Sequence, residues 1–370
     1  MTAQHDAQTR PLVIAVGQIP PPMTGYAYIT GRMIATIREN ADVEAINMSP
    51  ADRKGLRKHF YKGAQTILAC RQISRNSRQP KTVYLGCEGD WGLVYTAVLV
   101  VASRVFDHAI LLHHHSFSYV DRNSRLMRFI LSVGGKHIRH LFLCKKMHER
   151  LEARYGKVSD FEIISNAAFV KPCPNTKERH FANGPLRIGL LSNLTPEKGL
   201  HTFIDLIRLL RKNDLAVEGV LAGPIQNIKD AAIVRAAEVE LNGALQYIGP
   251  VYGLEKNGFY EDLDLFVFPT QYANEAQPTV LFEALAAGIR IIAFDRGCIA
   301  DQIRSNGLAI PPEEDFCARA LDYVRSITQK HANGPSERKT VSRSFEQLHS
   351  SASRIARSIT APTVQKNEIT

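Results

Sequence analysis

Phe266–Phe294 reads FVFPTQYANEAQPTVLFEALAAGIRIIAF. The two ends of this stretch predict buried strands, Leu263–Phe268 and Arg290–Phe294, with a polar loop and a helix over Pro278–Ala287 between them. Pro278 near the first turn and Gly288 just past the last punctuate that helix. Strand, loop, helix and strand make the repeating unit of a parallel α/β sheet. Glu283 is the one charge from Val280 to Ile289. A carboxylate buried in such a run needs hydrogen-bond donors, and the vicinal hydroxyls of a ribose supply two. The amides of Thr279 and Val280 lie in the helix's first turn, where the dipole favours an anion. Glu275, eight positions before Glu283 in the feeding loop, reaches the same ligand from the other end. The competing reading puts Glu283 at a solvent edge and makes Glu275 a helix-start carboxylate.

The same alternation extends in both directions. Towards the N-terminus of this half, strands are expected at Leu186–Ser192, Val217–Ala222 and Leu245–Ile248, with helices near Leu200–Lys212 and Asp230–Leu241. A further helix is expected over Glu313–Gln329, and Ser336–Ile359 is Ser-rich but compatible with a helix. Earlier, strands fall at Leu12–Gly17, Val43–Asn47, Thr82–Gly86, Ala109–His113, Leu141–Cys144 and Phe161–Ile164. Helices are read at Tyr28–Glu39, Trp91–Phe106, Arg122–Val133 and Lys146–Tyr155. The polar segment Lys171–Pro185, with three prolines, reads as a linker. The domains are therefore 1–175, 185–335, and a C-terminal helix and tail at 336–370, the final ten residues frayed.

Four more stretches carry chemistry. In Ile188–Leu200, IGLLSNLTPEKGL, Lys198 is read as opening a helix, where its charge opposes the dipole. A diphosphate held between Lys198 and the helix amides removes that conflict; an exposed lysine at small cost is the alternative. In Gly17–Tyr28, GQIPPPMTGYAY, Gly25 lets backbone approach a phosphate, or the stretch is a plain surface loop. It matches neither GxGxxG nor GxxxxGK[ST], which argues against NAD and a P-loop. His113–Phe117, HHHSF, ends a strand whose alternation puts His113 and His115 on one side. No neighbouring carboxylate or cysteine completes a metal set, so an imidazole bonded to a substrate hydroxyl or a satisfied buried histidine is expected. Tyr119–Lys146 is basic and partly aromatic, and reads as a face for an anionic membrane or as a solvated helix.

The chain has 370 residues, 45% of them apolar, enough for two cores. Its net charge of +10 is uneven: residues 1–180 hold 26 Lys and Arg against 14 Asp and Glu, the remainder 20 against 22. A basic first half suits an anionic partner. Nucleic acid is set aside, because the basic residues are spread and no known motif frames them. The six cysteines include no CxxC pair, and the polar Met1–Arg10 lacks a signal core, so a cytoplasmic location is the default.

Taken in order, these pieces resemble glycosyltransferase family 4, the retaining, metal-independent GT-B group. Glu275 and Glu283 match its E-x7-E signature. SNLTPEKGL (192–200) looks like its G-R-L-x-x-E-K-G turn. LFLCKKMHERLEARYG (141–156) and IISNAAF (163–169) are similar to its segments before the linker. The likeness runs from about Leu12 to Ser326 and is stronger in the second half. It implies two Rossmann-like domains facing across a cleft, with the C-terminal helix crossing back to the first. It implies a nucleotide-diphosphate sugar as co-substrate, no metal, and an acceptor on the first domain. The basic first half favours a lipid-linked saccharide or growing polysaccharide as that acceptor, with peripheral contact at an anionic membrane. By the resemblance, Glu283 binds the ribose, Lys198 the diphosphate, and Gly25, Thr279 and Val280 offer amides. Glu275 and His115 (or His113) contact the transferred sugar. Asn193 stands where the family carries a diphosphate-binding arginine, and an amide supplies neither that charge nor that fork. Glu275-Ala276-Gln277-Pro278 replaces its E-G-F-G loop. A turnover-deficient scaffold subunit and a sugar-nucleotide epimerase of the same fold stay open. Base selection is expected of the loop around Val251 and Tyr252.

Overall fold

The computed structural model describes residues 10–51, 53–75, 81–173, 184–331 and 337–359. Most of the expected linker, Lys171–Pro185, and the last eleven residues lie outside them. The chain divides into two compact units, one running to Ser165 and resuming at Ala352, the other Asn166–Ser351.

The first unit holds a six-stranded parallel sheet in the order β2-β1-β3-β4-β5-β6. Its strands are β1 (Leu12–Gly17), β2 (Asp42–Asn47), β3 (Thr82–Cys87), β4 (Ala109–His114), β5 (Ile138–Phe142) and β6 (Phe161–Ile163). Between them run α1 (Gly25–Arg38), α2 (Gly55–Ser74), α3 (Gly92–Val105), α4 (Ser118–Asp121), α5 (Arg125–Gly134) and α6 (Lys145–Tyr155). Val13 to Gly17 of β1 are all buried, as an inner parallel strand covered on both faces requires. β2, at the edge, keeps Asp42 and Glu44 exposed, charges that discourage further pairing.

The second unit carries another parallel six-stranded sheet, in the order β12-β11-β10-β7-β8-β9. Its strands are β7 (Leu186–Leu191), β8 (Val217–Ala222), β9 (Leu245–Tyr247), β10 (Leu265–Phe268), β11 (Arg290–Phe294) and β12 (Gly307–Ile310). The helices are α7 (Leu200–Lys212), α8 (Ile228–Glu240), α9 (Gly253–Glu261), α10 (Thr279–Ala286), α11 (Ile299–Ile303), α12 (Phe316–His331) and α13 (Arg338–Ser358). α13 is anchored in this unit by Phe345 against Phe282, ring centroids 6.1 Å apart, and by His349 Nδ1, 2.9 Å from Ala167 O. Its last residues belong to the first unit, where Arg357 lies 3.5 Å from Glu39.

The sequence pattern misses α2, α9, α11 and β12, and places β5 about three residues late. α2 escapes because its buried stripe, Lys62, Thr66, Ala69 and Ile73, is apolar in only two of four positions, and Leu56, Phe60, Ile67 and Leu68 are exposed. A periodicity search has little to find on the inward face.

In the second sheet, successive strands lead from β7 to β8 and β9 on one side, then return to β10 on β7's other flank. β7 and β10 therefore flank the point where the strand order reverses, and it is outside the carboxyl ends of strands at such a point that open parallel sheets take ligands. Gly199 closes the β7 loop with φ +87°. A Cβ there would collide with the backbone of Pro269, at the end of β10. Glycine is what lets the two loops touch. Gly199→Ala is expected to destabilise the protein by at least about 1 kcal/mol, the cost of a left-handed residue with a side chain. Urea unfolding measures this; an unchanged midpoint would show that the turn gives way freely.

Candidate active site

The β7 loop folds into one 3-10 turn, Pro196–Lys198, capped by Thr195 Oγ1, which accepts from Lys198 N at 3.3 Å. Lys198 thus ends that turn and does not enter α7, which begins at Leu200 after the left-handed Gly199. The expectation that Lys198 opens a helix is corrected. Its charge is met by a carboxylate: Nζ lies 2.6 Å from Glu275 Oε2, and 4.5 Å over the Tyr272 ring. Thr270 Oγ1 donates to the same oxygen at 3.2 Å. Gln271 N donates to Glu197 O at 2.8 Å, which fastens the β10 loop to the β7 loop. Asn193 is exposed in the same β7 turn.

Glu275, Ala276 and Gln277 are buried. Asn166 N donates to Gln277 Oε1, and Asn166 Nδ2 to Gln277 O, both at 2.7 Å. Cys298 N donates to Ala276 O at 2.8 Å, and Gln302 Nε2 to Pro278 O at 3.0 Å. Four bonds from outside therefore set this loop's path, where the resembling family relies on glycines.

α10 starts at Thr279 with no side-chain cap, so its first-turn amides face the crevice end of the sheet uncapped. Glu283 lies one turn in and is only part-buried. Lys256 Nζ touches both its oxygens, at 2.7 and 2.6 Å, and Tyr260 OH donates to Oε2 at 2.9 Å. Burial first, then the charge of Glu283, pushes the Tyr260 hydroxyl well above its ordinary range, so it stays a donor. The donors expected from a ligand are thus already supplied by α9. Sequence reading missed both, because α9 has no clean apolar period and Lys256 is 27 positions from Glu283. Tyr252, in the loop expected to select a base, is exposed just before α9.

In the first unit, Gly25 is the first residue of α1, and Thr24 Oγ1 caps that helix by accepting from Ala27 N at 3.1 Å. A Cβ at Gly25 would meet nothing within 4 Å, so no protein atom demands glycine there. His113 and His115 do share a side of β4, ring centroids 4.0 Å apart. His113 is fully buried with Nδ1 2.8 Å from Tyr84 OH, while His115 is part-buried against Tyr26 at 4.6 Å. His115 is therefore the more accessible of the pair. His114 points the other way, Nδ1 2.9 Å from Tyr119 OH and Nε2 3.0 Å from His140 Nδ1.

Burial lowers all four imidazoles: His113 to about 3, His140 to about 4, and His114 and His115 well below their ordinary value. Neighbouring histidines add to the effect on His114, His115 and His140. At neutral pH these rings are uncharged, one nitrogen donating and one accepting.

Residues 174–337 match the family model of glycosyl transferases group 1. The amylovoran biosynthesis glycosyltransferase AmsK of Erwinia amylovora is 26% identical over 156 residues. That alignment covers 41% of this chain and 38% of the relative's length. Among solved structures, Anabaena HepE in complex with UDP has a TM-score of 0.68 at 15% identity, covering 94% of this chain and 99% of that one. The apo lipopolysaccharide outer core galactosyltransferase WaaB has a TM-score of 0.69 at 15% identity, covering 94% and 98%. The fold is that of the GT-B glycosyltransferases. The family match and the AmsK relative support the glycosyltransferase superfamily for this chain.

The depressed histidines make a stability prediction. Unfolding lets each ring protonate near 6.5, whereas the folded state resists until far lower pH. The unfolded chain binds more protons below 6.5, so stability falls as pH falls from there towards the folded values. His113 and His140 alone should cost about 2 kcal/mol between pH 6 and 5. Urea unfolding at a series of pH values checks this; a flat profile across that window contradicts it.

Proposed function

We propose that this chain is a retaining glycosyltransferase of family 4 that moves a hexose from a nucleotide diphosphate to a saccharide acceptor, lipid-linked or a growing polysaccharide. The observation that carries the reading is the Lys198–Glu275 pair at the point where the second sheet's strand order reverses, beside the uncapped start of α10. A crevice there is where such sheets take ligands, and an ammonium next to a helix N-terminus suits a diphosphate. The AmsK relative, an amylovoran biosynthesis glycosyltransferase, supports the polysaccharide class of acceptor. HepE, solved with UDP and with UDP-glucose, supports a nucleotide-sugar donor.

Lys198 and Glu275 neutralise each other, as do Lys256 and Glu283. A diphosphate arriving at Lys198 takes over its ammonium and releases Glu275 to accept from sugar hydroxyls. The ribose diol replaces donors now held on Glu283. The departing diphosphate is stabilised by Lys198 and the Thr279 and Val280 amides, groups already oriented before the bond breaks. Within the first unit, Gly25 offers backbone approach to a phosphate and neutral His115 a hydrogen bond to a substrate hydroxyl. No metal is required by this scheme. Asn193 in place of an arginine favours a second reading, a subunit that binds but does not turn over.

Calorimetric titration with UDP, GDP, ADP and their sugars tests the donor site. One base should bind selectively, and Glu283→Ala should weaken it about tenfold or more, the equivalent of about 1.4 kcal/mol. Glu275→Ala should retain nucleotide affinity yet abolish transfer. Absence of nucleotide binding by the folded protein would overturn the reading. Binding without transfer to any acceptor would favour the subunit, and product without acceptor an epimerase. The anomeric configuration of the product decides retention.

A further inference from the structure

The helices of the first unit carry an apolar surface that neither the core nor the proposed chemistry uses. α3 packs between α2 and α5. On α3, the stripe Trp91, Val94, Val98, Val101 and Val105 faces solvent, with Trp91 75% and Val105 71% exposed. The spacing of three and four keeps these residues on one side of a helix. The other side, including Leu93, Ala97 and Val100, is buried. α3 is thus apolar all round although only half of it is covered, a pattern that a soluble face does not need. α2 repeats it beside α3. Leu56 is 77% and Phe60 76% exposed, followed on the same outward side by Ile67 and Leu68. Its inward side instead places the buried Lys62 in an ion pair with Glu88, and at the surface His59 Nδ1 lies 2.9 Å from Tyr95 OH of α3. The polar contacts seat the helix, and the greasy residues look out.

The rim of this surface is mainly cationic, with the exposed Asp90 and Asp107 at the two ends of the α3 stripe as the exceptions. From Arg53 to Cys87 the chain has nine Lys and Arg and no Asp or Glu. Arg53, Lys54 and Arg57 are exposed at the start of α2, and Arg71 and Arg75 at its end. Across α3, α5 adds exposed Arg125, Arg128 and Phe129. Tyr119–Lys146, the stretch expected from sequence to meet a membrane, is broken into α4, α5 and β5, with Met127 and Ile130 buried. Only its α5 portion extends this face.

We propose that the outward faces of α2 and α3 dock the protein on the surface of an anionic lipid bilayer. Charge complementarity selects this occupant. Exposed side chains with a basic rim gain twice at such a surface, by burying apolar area among the acyl chains and by pairing with acidic headgroups. A second copy would bring the same cationic rim against itself and be repelled. No described helix is long and apolar enough to cross the membrane, so the protein lies on it through this face. The proposal does not depend on the donor chemistry.

The chain's single tryptophan, Trp91, sits on the proposed face and reports contact directly. Full-length protein is mixed with vesicles of phosphatidylcholine alone or with phosphatidylglycerol added, at low and high salt, and followed by sedimentation and Trp emission. The expected result is co-sedimentation with the anionic vesicles, a blue shift of Trp91, and its quenching by brominated acyl chains. High salt should reverse all three. Arg57→Glu with Lys58→Glu, and separately Leu56→Ser with Phe60→Ser, should each lower partitioning at least about tenfold. Circular dichroism and the urea midpoint of the same variants should be unchanged, which shows them folded and keeps this result separate from any failure of the donor site. Vesicle binding without a Trp91 shift would overturn the proposal by placing contact elsewhere. So would no vesicle binding, or a vesicle-free blue shift that grows with protein concentration, the mark of a second copy.

Discussion

A parallel sheet whose strand order reverses leaves a place where two neighbouring strands send their chains apart. In the second unit that place is between β7 and β10. Everything that looks chemical in this half is arranged around it. Gly199 lets the β7 loop close on Pro269, and Gln271 N to Glu197 O binds the loops together. The result brings Lys198 and Glu275, 77 positions apart, to 2.6 Å.

The carboxylates at this crevice are kept partnered. Two unpartnered glutamates near the uncapped start of α10 would repel an anion by themselves. Lys198 on Glu275 and Lys256 on Glu283 cancel that repulsion. Each pair is only part-buried, so its exchange for a ligand's charges does not require extracting an ion from the deep core. The loop joining the two glutamates is tied by Asn166, Cys298 and Gln302, so the spacing of the carboxylates does not rest on loop flexibility.

The first unit divides its labour differently. Its sheet core buries uncharged histidines, with His113 on Tyr84 and His114 between Tyr119 and His140. Its helices α2 and α3 direct apolar side chains outward. The buried Lys62 of α2 is answered by Glu88, just past β3, and by the Tyr95 ring 5.8 Å away. A helix held by polar contacts inside is free to spend its apolar residues outside, and the two features belong together.

The sequence by itself determined the alternation of strands and helices and the ends of α7, β8 and β11, because their apolar residues follow the period of the element that buries them. It also placed His113 and His115 on one side of β4, since strand alternation is local. It marked Glu283, an isolated charge in an apolar run, and Glu275 before it. The tertiary structure alone decided their partners. Lys256 and Tyr260 reach Glu283, and Lys198 reaches Glu275, through chain crossovers, and no local pattern records such pairings. It also decided that Lys198 ends a turn and does not start a helix, because the left-handed Gly199 is imposed by the approach of Pro269. The same holds for α2, whose inward face mixes Lys62 and Thr66 with Ala69 and Ile73. Periodicity finds a helix by what it buries in oil, and α2 is seated by an ion pair and hydrogen bonds that only the folded neighbours provide.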